Sequence, residues 1–392
     1  MLNAAEIVSE AEHQVGITDS EPFVRRNLER LVAAINHEGF MSAEGMAGAH
    51  RALLNDMVNR LEGLKWVQQY PEIAEEAIEK PVFLMGLPRS GTTYFQYLFD
   101  CDQRFRLIRT WEAMTPSPPP GFDPESAEQR RMSWAERRRE MFPTVDGFAA
   151  LHLHDEDGSE ECHAFMEQSF GAAGLNNLYR VPTFFDYLLD EADLEASYRV
   201  HKRQLQLLQW RTRVKPWALK YPNHLLAVPE IIKVYPDARF VMTHRDPIQT
   251  LASICKMSYK LRSARSDKPI DKEDVGRYMT HFVQRHIERI MALVNGPHAR
   301  QVVHVDYYAL VDDPVTEMLG AHKELGIDTP EEVCHAVADW RKANPKNARG
   351  VNDYSLEEYG LDESMLENQF DEYMHHFHIP REREGLSRGA GE

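Results

Sequence analysis

Eight residues stand out for the chemistry they could do: Gly86-Leu87-Pro88-Arg89-Ser90-Gly91-Thr92-Thr93. Glycines let a backbone curl until successive N–H groups point inward, and a helix starting there adds its positive end. The hydroxyls of Thr92 and Thr93 supply further donors without blocking the nest. Such a loop cradles a phosphate-like anion. It is not an ATP loop, because the pattern G-x-x-x-x-G-K-[ST] puts Lys directly after the second Gly, where this chain has Thr92. The cation is instead Arg89, two residues before Gly91. A γ-phosphate clamp with its Mg²⁺ hydroxyl is poorly served by that arrangement. A cation within the loop suits a ligand whose transferred group leaves from a bridging oxygen.

At these residues the chain resembles the sulfotransferases that use 3′-phosphoadenylyl sulfate (PAPS), in the P-R-S-G-T-T form of tyrosylprotein and many bacterial members. The resemblance implies that Arg89, Ser90, Gly91, Thr92 and Thr93 hold the 5′-phosphate and sulfonate. It also implies that Arg89 steadies the bridging oxygen as it leaves. Members of the family hold the 3′-phosphate with an Arg at a later strand end and a Ser on the next helix. Arg245 and Ser253, eight residues apart, reproduce that type and spacing, and Arg offers phosphate a planar fork. The likeness runs in matching order from about residue 20 to about residue 378, through Trp111-Glu112, Gly158–Cys162, Leu219–His224, Asp306–Pro314 and Asn344–Tyr354. A basic segment near the C-terminus often covers the 3′-phosphate, and Lys346 and Arg349 are its counterparts here. The implied product is adenosine 3′,5′-bisphosphate, and the implied partner is a small hydroxyl acceptor.

Sulfonate transfer to an alcohol needs a base on the acceptor, and two residues compete for that role. His224, in Lys220-Tyr221-Pro222-Asn223-His224, falls near the catalytic His of cytosolic members, and a neutral imidazole suits the task. Glu112 falls where tyrosylprotein sulfotransferases carry a catalytic Glu; its structural alternative is a bond to Arg106 or Arg109. Lys220 is the expected electrophilic partner of the sulfonate oxygens. Two rival functions stay open: a P-loop kinase, and a nucleotide-binding protein of the same fold without catalysis.

The elements that must position these residues can be read from hydrophobic periodicity. Residues 1–79 are helical throughout, with Leu28, Leu31, Val32 and Ile35 at helical spacing. Val82–Met85, Trp217–Lys220, Ala238–Met242 and Val302–Val305 read as short buried strands. Helices are expected over Thr92–Phe99, from about His224 to Val234, from about Ile248, and from about Pro314 to Leu325. Strand–helix alternation of this kind predicts an α/β fold: a P-loop NTPase-like parallel sheet flanked by helices. An N-terminal helical segment (1–79) would pack on a sulfotransferase domain spanning 80–378. Within it, residues 112–216 form a helical insertion over the strands' carboxyl ends, where such folds bind ligands. Residues 379–392 are expected to be a disordered tail.

Composition bounds the rest. With 45 Lys+Arg against 62 Asp+Glu, the net charge of −17 disfavours broad binding to nucleic acid or an anionic membrane. No apolar run approaches the ~20 residues of a membrane helix, so no stable membrane insertion is expected. The four cysteines are scattered and the N-terminus lacks a basic signal region, which fits a reducing cytoplasm. The acid- and His-rich run from His152 and His154 to His163 lacks zinc-module spacing. No metal is expected, and the run reads as a loop lining the acceptor pocket.

Overall fold

The computed structural model describes residues 1–141, 157–344 and 355–382. His152, His154, Lys346, Arg349 and the tail after Glu382 lie outside the described residues. Four parallel strands form one sheet in the order β2-β1-β3-β4: β1 (Val82–Gly86), β2 (Ala218–Lys220), β3 (Arg239–His244) and β4 (Val302–Asp306). Alternation of side chains across the pleat splits the strands between two cores. Phe83, Met85, Leu219, Phe240 and Met242 face one cluster; Val82, Leu84, Ala218, Val241, Val303 and Val305 face the other. Both faces are therefore apolar, which explains the nearly continuous hydrophobic strands.

Helices α1 (Ala4–Val15), α2 (Pro22–Glu38) and α3 (Ala43–Gln69) bury Ile7, Leu28, Leu31, Ile35, Leu53 and Met57 in the cluster that contains Phe83. The N-terminal segment thus shares the main core. Its turn into α2 is fixed by Arg60, whose Nε donates to Asp19 Oδ2 at 2.5 Å with both side chains buried. Glu21 also pairs with Arg60. Replacing Arg60 by Ala would strand the Asp19 carboxylate. Breaking a buried pair from one side costs about 3–5 kcal/mol, and a loss of that size in urea-unfolding free energy is the expected result.

After β1, α4 (Thr92–Asp100) starts at Gly91. The region before β2 carries α5 (Thr110–Met114), α6 (Pro124–Met141), α7 (His163–Glu167), α8 (Leu175–Leu178), α9 (Pro182–Asp190) and α10 (Leu194–Gln209). The helix expected from His224 begins later. Pro222 to Ala227 forms a 3₁₀ turn, and α11 (Val228–Val234) follows with Pro229 in its first turn. Proline lacks the N–H that an uninterrupted helix through Pro229 would need. Beyond β3, α12 (Pro247–Ser263) begins at the Asp246 cap. No helix among the described residues is long and apolar enough to cross a membrane.

Candidate functional site

The glycine loop leaves the carboxyl end of β1 and is shaped by crowding. At Gly86 a Cβ would meet Thr243 Oγ1 at 2.6 Å and Ser90 Oγ at 2.7 Å. At Gly91, with φ +90°, it would strike the Tyr307 ring at 2.6 Å. Arg89 itself adopts φ +74°, a costly conformation for a residue with a side chain. Ser90 Oγ bonds Thr243 Oγ1 at 2.8 Å, tying the loop to the end of β3. Ser90 and Thr92 are buried, while Arg89 and Thr93 are half-buried.

The two anion cradles read from the sequence are in contact. Arg89 Nε donates to Ser253 Oγ at 3.0 Å, and Arg245 Nη1 donates to the Arg89 carbonyl at 2.9 Å. The Arg245 guanidinium stacks over Tyr307, 4.3 Å from the ring centre. Its fork already grips a carboxylate: Nε to Glu382 Oε2 at 3.1 Å and Nη2 to Oε1 at 2.7 Å. Tyr308 Oη donates to Glu382 Oε2 at 2.7 Å. The Glu382 N–H donates to Asp246 Oδ2 at 3.0 Å, and Arg381 pairs with Glu363. Arg381 and Glu382 therefore depart from the expectation of a free tail from residue 379. Side-chain ion pairs, invisible in a composition, pin them down.

On the other flank of the loop, Lys220 ends β2 with its side chain only 1% exposed and paired with Glu161. Residues 158–162 are threaded beside it: Glu160 N donates to the Ile108 carbonyl at 2.8 Å and Cys162 N to the Lys220 carbonyl at 2.9 Å. His163 follows, with Nε2 2.9 Å from Glu167 Oε1 and Nδ1 3.4 Å from Tyr221 Oη. Burial depresses the His163 pKa, but the charge and hydrogen bond of Glu167, with Glu161 and Asp56 behind them, raise it to about 9. Burial and the Glu167 charge push the Asp56 carboxyl on α3 well above its usual range, partly offset by His163.

Neither expected base is presented to this cleft. His224 is fully buried, with Nδ1 2.8 Å from Tyr198 Oη and its ring against the edge of Phe83, 4.9 Å between centroids. Its Nε2 has no hydrogen-bond partner among the described residues. The 3₁₀ turn at Pro222 seats the imidazole among Tyr198, Phe83 and Tyr221. Burial, and then His201, hold its pKa well below the ordinary imidazole value. Cys162, His201 and His224 bring a thiol and two imidazole nitrogens within 4.8 Å of one another, the one such group among the described residues with donor spacing an ion could use. Burial lowers the His201 pKa to about 3 and lifts the Cys162 thiol well up, so burial favours the neutral form of each. Glu112 is committed too: Oε1 accepts from Arg106 Nη2 at 2.7 Å and Oε2 from the Arg109 N–H at 2.9 Å. It closes the capping box of α5, which matches its structural alternative.

Sequence reasoning missed Glu161 as a partner of Lys220. The signal available was the pile-up Glu160-Glu161-Cys162-His163, but nothing local says which strand end it meets.

Comparisons with known proteins add independent findings. The model of a sulfotransferase family matches residues 81–331. The omega-hydroxy-beta-dihydromenaquinone-9 sulfotransferase Stf3 of Mycobacterium bovis, and that of Mycobacterium tuberculosis, are each 24% identical over 265 residues. Each match covers 65% of this chain and 65% of the relative's own length. The crystal structure of sulfotransferase STF9 from Mycobacterium avium superposes with a TM-score of 0.88 at 26% identity, covering 97% of this chain and 98% of that one. STF1 from Mycobacterium tuberculosis gives 0.81 at 27% identity, covering 94% and 98%.

Proposed function

The chain belongs to the sulfotransferase family, and we propose that it transfers the sulfonate of 3′-phosphoadenylyl sulfate to a hydroxyl of a small lipophilic acceptor. One observation carries the choice of donor: Arg89, Ser253 and Arg245 meet at adjoining strand ends. A nucleotide with an anion at each end of its ribose needs two such cradles side by side. The carboxylate in the Arg245 fork supports the fit, since it fills with two parallel bonds a place that a phosphate would take. PAPS would supply the sulfonate; the work left to the chain is to bind, orient and balance charge.

In this reading Ser90, Gly91, Thr92 and Thr93 hold the 5′-phosphosulfate, and Arg89 takes up charge at the bridging oxygen. Arg245 and Ser253 hold the 3′-phosphate, with Lys346 and Arg349 proposed to close over it. Lys220 faces the sulfonate oxygens. Residues 80–378 act as the transferase unit, with 112–216 covering the acceptor. The lipophilic acceptor is supported by Stf3, whose name specifies a hydroxylated dihydromenaquinone.

The test is thermal stabilisation. Adenosine 3′,5′-bisphosphate at 100 times its dissociation constant contributes about 2.7 kcal/mol, so it should raise the melting temperature without magnesium. Mg·ATP at equal concentration should not. The opposite ranking would favour the kinase reading, which Thr92 in place of the Walker Lys already disfavours.

A further inference from the structure

We propose that Glu161 takes the proton of the acceptor hydroxyl, in a cleft walled on its polar side by Tyr221, His163 and Glu167. The proposal rests on the sulfonate-transfer reading and names the acceptor half of that site.

Sheet order gives the first argument. β1, which carries the glycine loop, lies between β3 and β2. The β3 side is taken by Arg245 and Ser253, the cradle for the far phosphate. The reacting end of the donor must then face the β2 side, where Lys220 ends the neighbouring strand one ladder spacing away, about 4.8 Å. Glu161 is the carboxylate touching Lys220.

Exposure gives the second. Cys162, Ala164, Phe165 and Met166 are buried, yet the side chains of Glu161, His163 and Glu167 remain 17%, 27% and 17% exposed. Polar groups among buried neighbours, still reached by solvent, are what the wall of a cleft offers. The third argument is chemical. Among the described residues, His224 is buried and Glu112 has both oxygens in hydrogen bonds, whereas Glu161 is the carboxylate in direct contact with Lys220. The Glu161 and Glu167 carboxylates are matched here by the Lys220 ammonium and by His163, held protonated by Glu167, so the test acceptors are uncharged alcohols and phenols.

The step balances. The acceptor proton passes to Glu161 as the acceptor oxygen bonds sulfur. The bond from sulfur to the bridging oxygen breaks, and its electrons leave with adenosine 3′,5′-bisphosphate. Lys220, no longer facing a carboxylate, neutralises the sulfonate oxygens.

The experiment uses the full chain with radiolabelled PAPS and a panel of uncharged acceptors running from long-chain alcohols through phenol to 4-nitrophenol. Glu161→Gln keeps an oxygen for Lys220 and should lower kcat on alcohols about 10²- to 10⁴-fold. Binding of adenosine 3′,5′-bisphosphate should stay within about twofold. The loss should shrink on 4-nitrophenol, which ionises without help. Glu161→Asp should keep more activity than Glu161→Gln. Kinetics within about threefold of wild type in Glu161→Gln, or one loss shared by every acceptor whatever its acidity, overturns the assignment of Glu161 alone. Wild-type protein that binds the bisphosphate but transfers to no panel member overturns the hydroxyl cleft. Wild-type protein that binds no bisphosphate overturns the donor reading beneath it.

Discussion

Arg245→Ala should weaken binding of adenosine 3′,5′-bisphosphate about 100-fold in isothermal titration calorimetry. Truncating one side of a buried, hydrogen-bonded charge pair costs about 2–5 kcal/mol, and at 1.4 kcal/mol per decade 100-fold lies at the lower end. Arg245 is well placed for an effect of this size. Its guanidinium is held between the Tyr307 ring and the Arg89 carbonyl, so little ordering remains to be done when an anion arrives. The substitution also deprives Glu382 of its partner, and the clean comparison is therefore Arg245→Ala with Glu382→Ala against Glu382→Ala alone. Glu382→Ala by itself should tighten bisphosphate binding several-fold. Unchanged affinity in Arg245→Ala would remove the second cradle from the site.

Lys220→Met should lower kcat about 10²- to 10³-fold while bisphosphate affinity stays within about twofold. Removing one preorganised group that meets developing charge in a water-poor site typically costs that much. Met keeps the apolar stem at a position 1% exposed and removes only the ammonium. The split between kcat and ground-state binding is the informative part, because a merely structural role would disturb folding or both constants together. An equal rise in KM and fall in affinity would place Lys220 among binding groups instead.

Much of this arrangement was legible in the chain, for physical reasons. The strands announced themselves because both faces of the sheet are covered, giving apolar runs too short to be anything else. The loop was legible because only glycine tolerates the approach of Thr243 and Tyr307 at Gly86 and Gly91. Arg245 and Ser253 lie within one strand–helix unit, a local arrangement that the family resemblance picks out in the sequence. The surroundings of the two candidate bases were not legible. Whether His224 points at the cleft or into the core depends on the 3₁₀ turn at Pro222 and on Phe83, more than a hundred residues earlier. Glu112 looked catalytic by position, yet its carboxylate caps its own short helix. Glu161 meets Lys220 across 59 residues, and Arg245 meets Glu382 across 137. Pairings of that range are set by packing, not by periodicity.

If Arg245 holds a nucleotide phosphate, the carboxylate of Glu382 makes the resting chain its own competitor. Because it is tethered, it confronts the guanidinium at an effective concentration that dilution cannot lower. Any nucleotide that uses Arg245 must first open that contact, so its apparent dissociation constant is the intrinsic one divided by the fraction of molecules already open. Proteins ending before Arg381 would lack the handicap, and their measured affinities would not describe the intact enzyme.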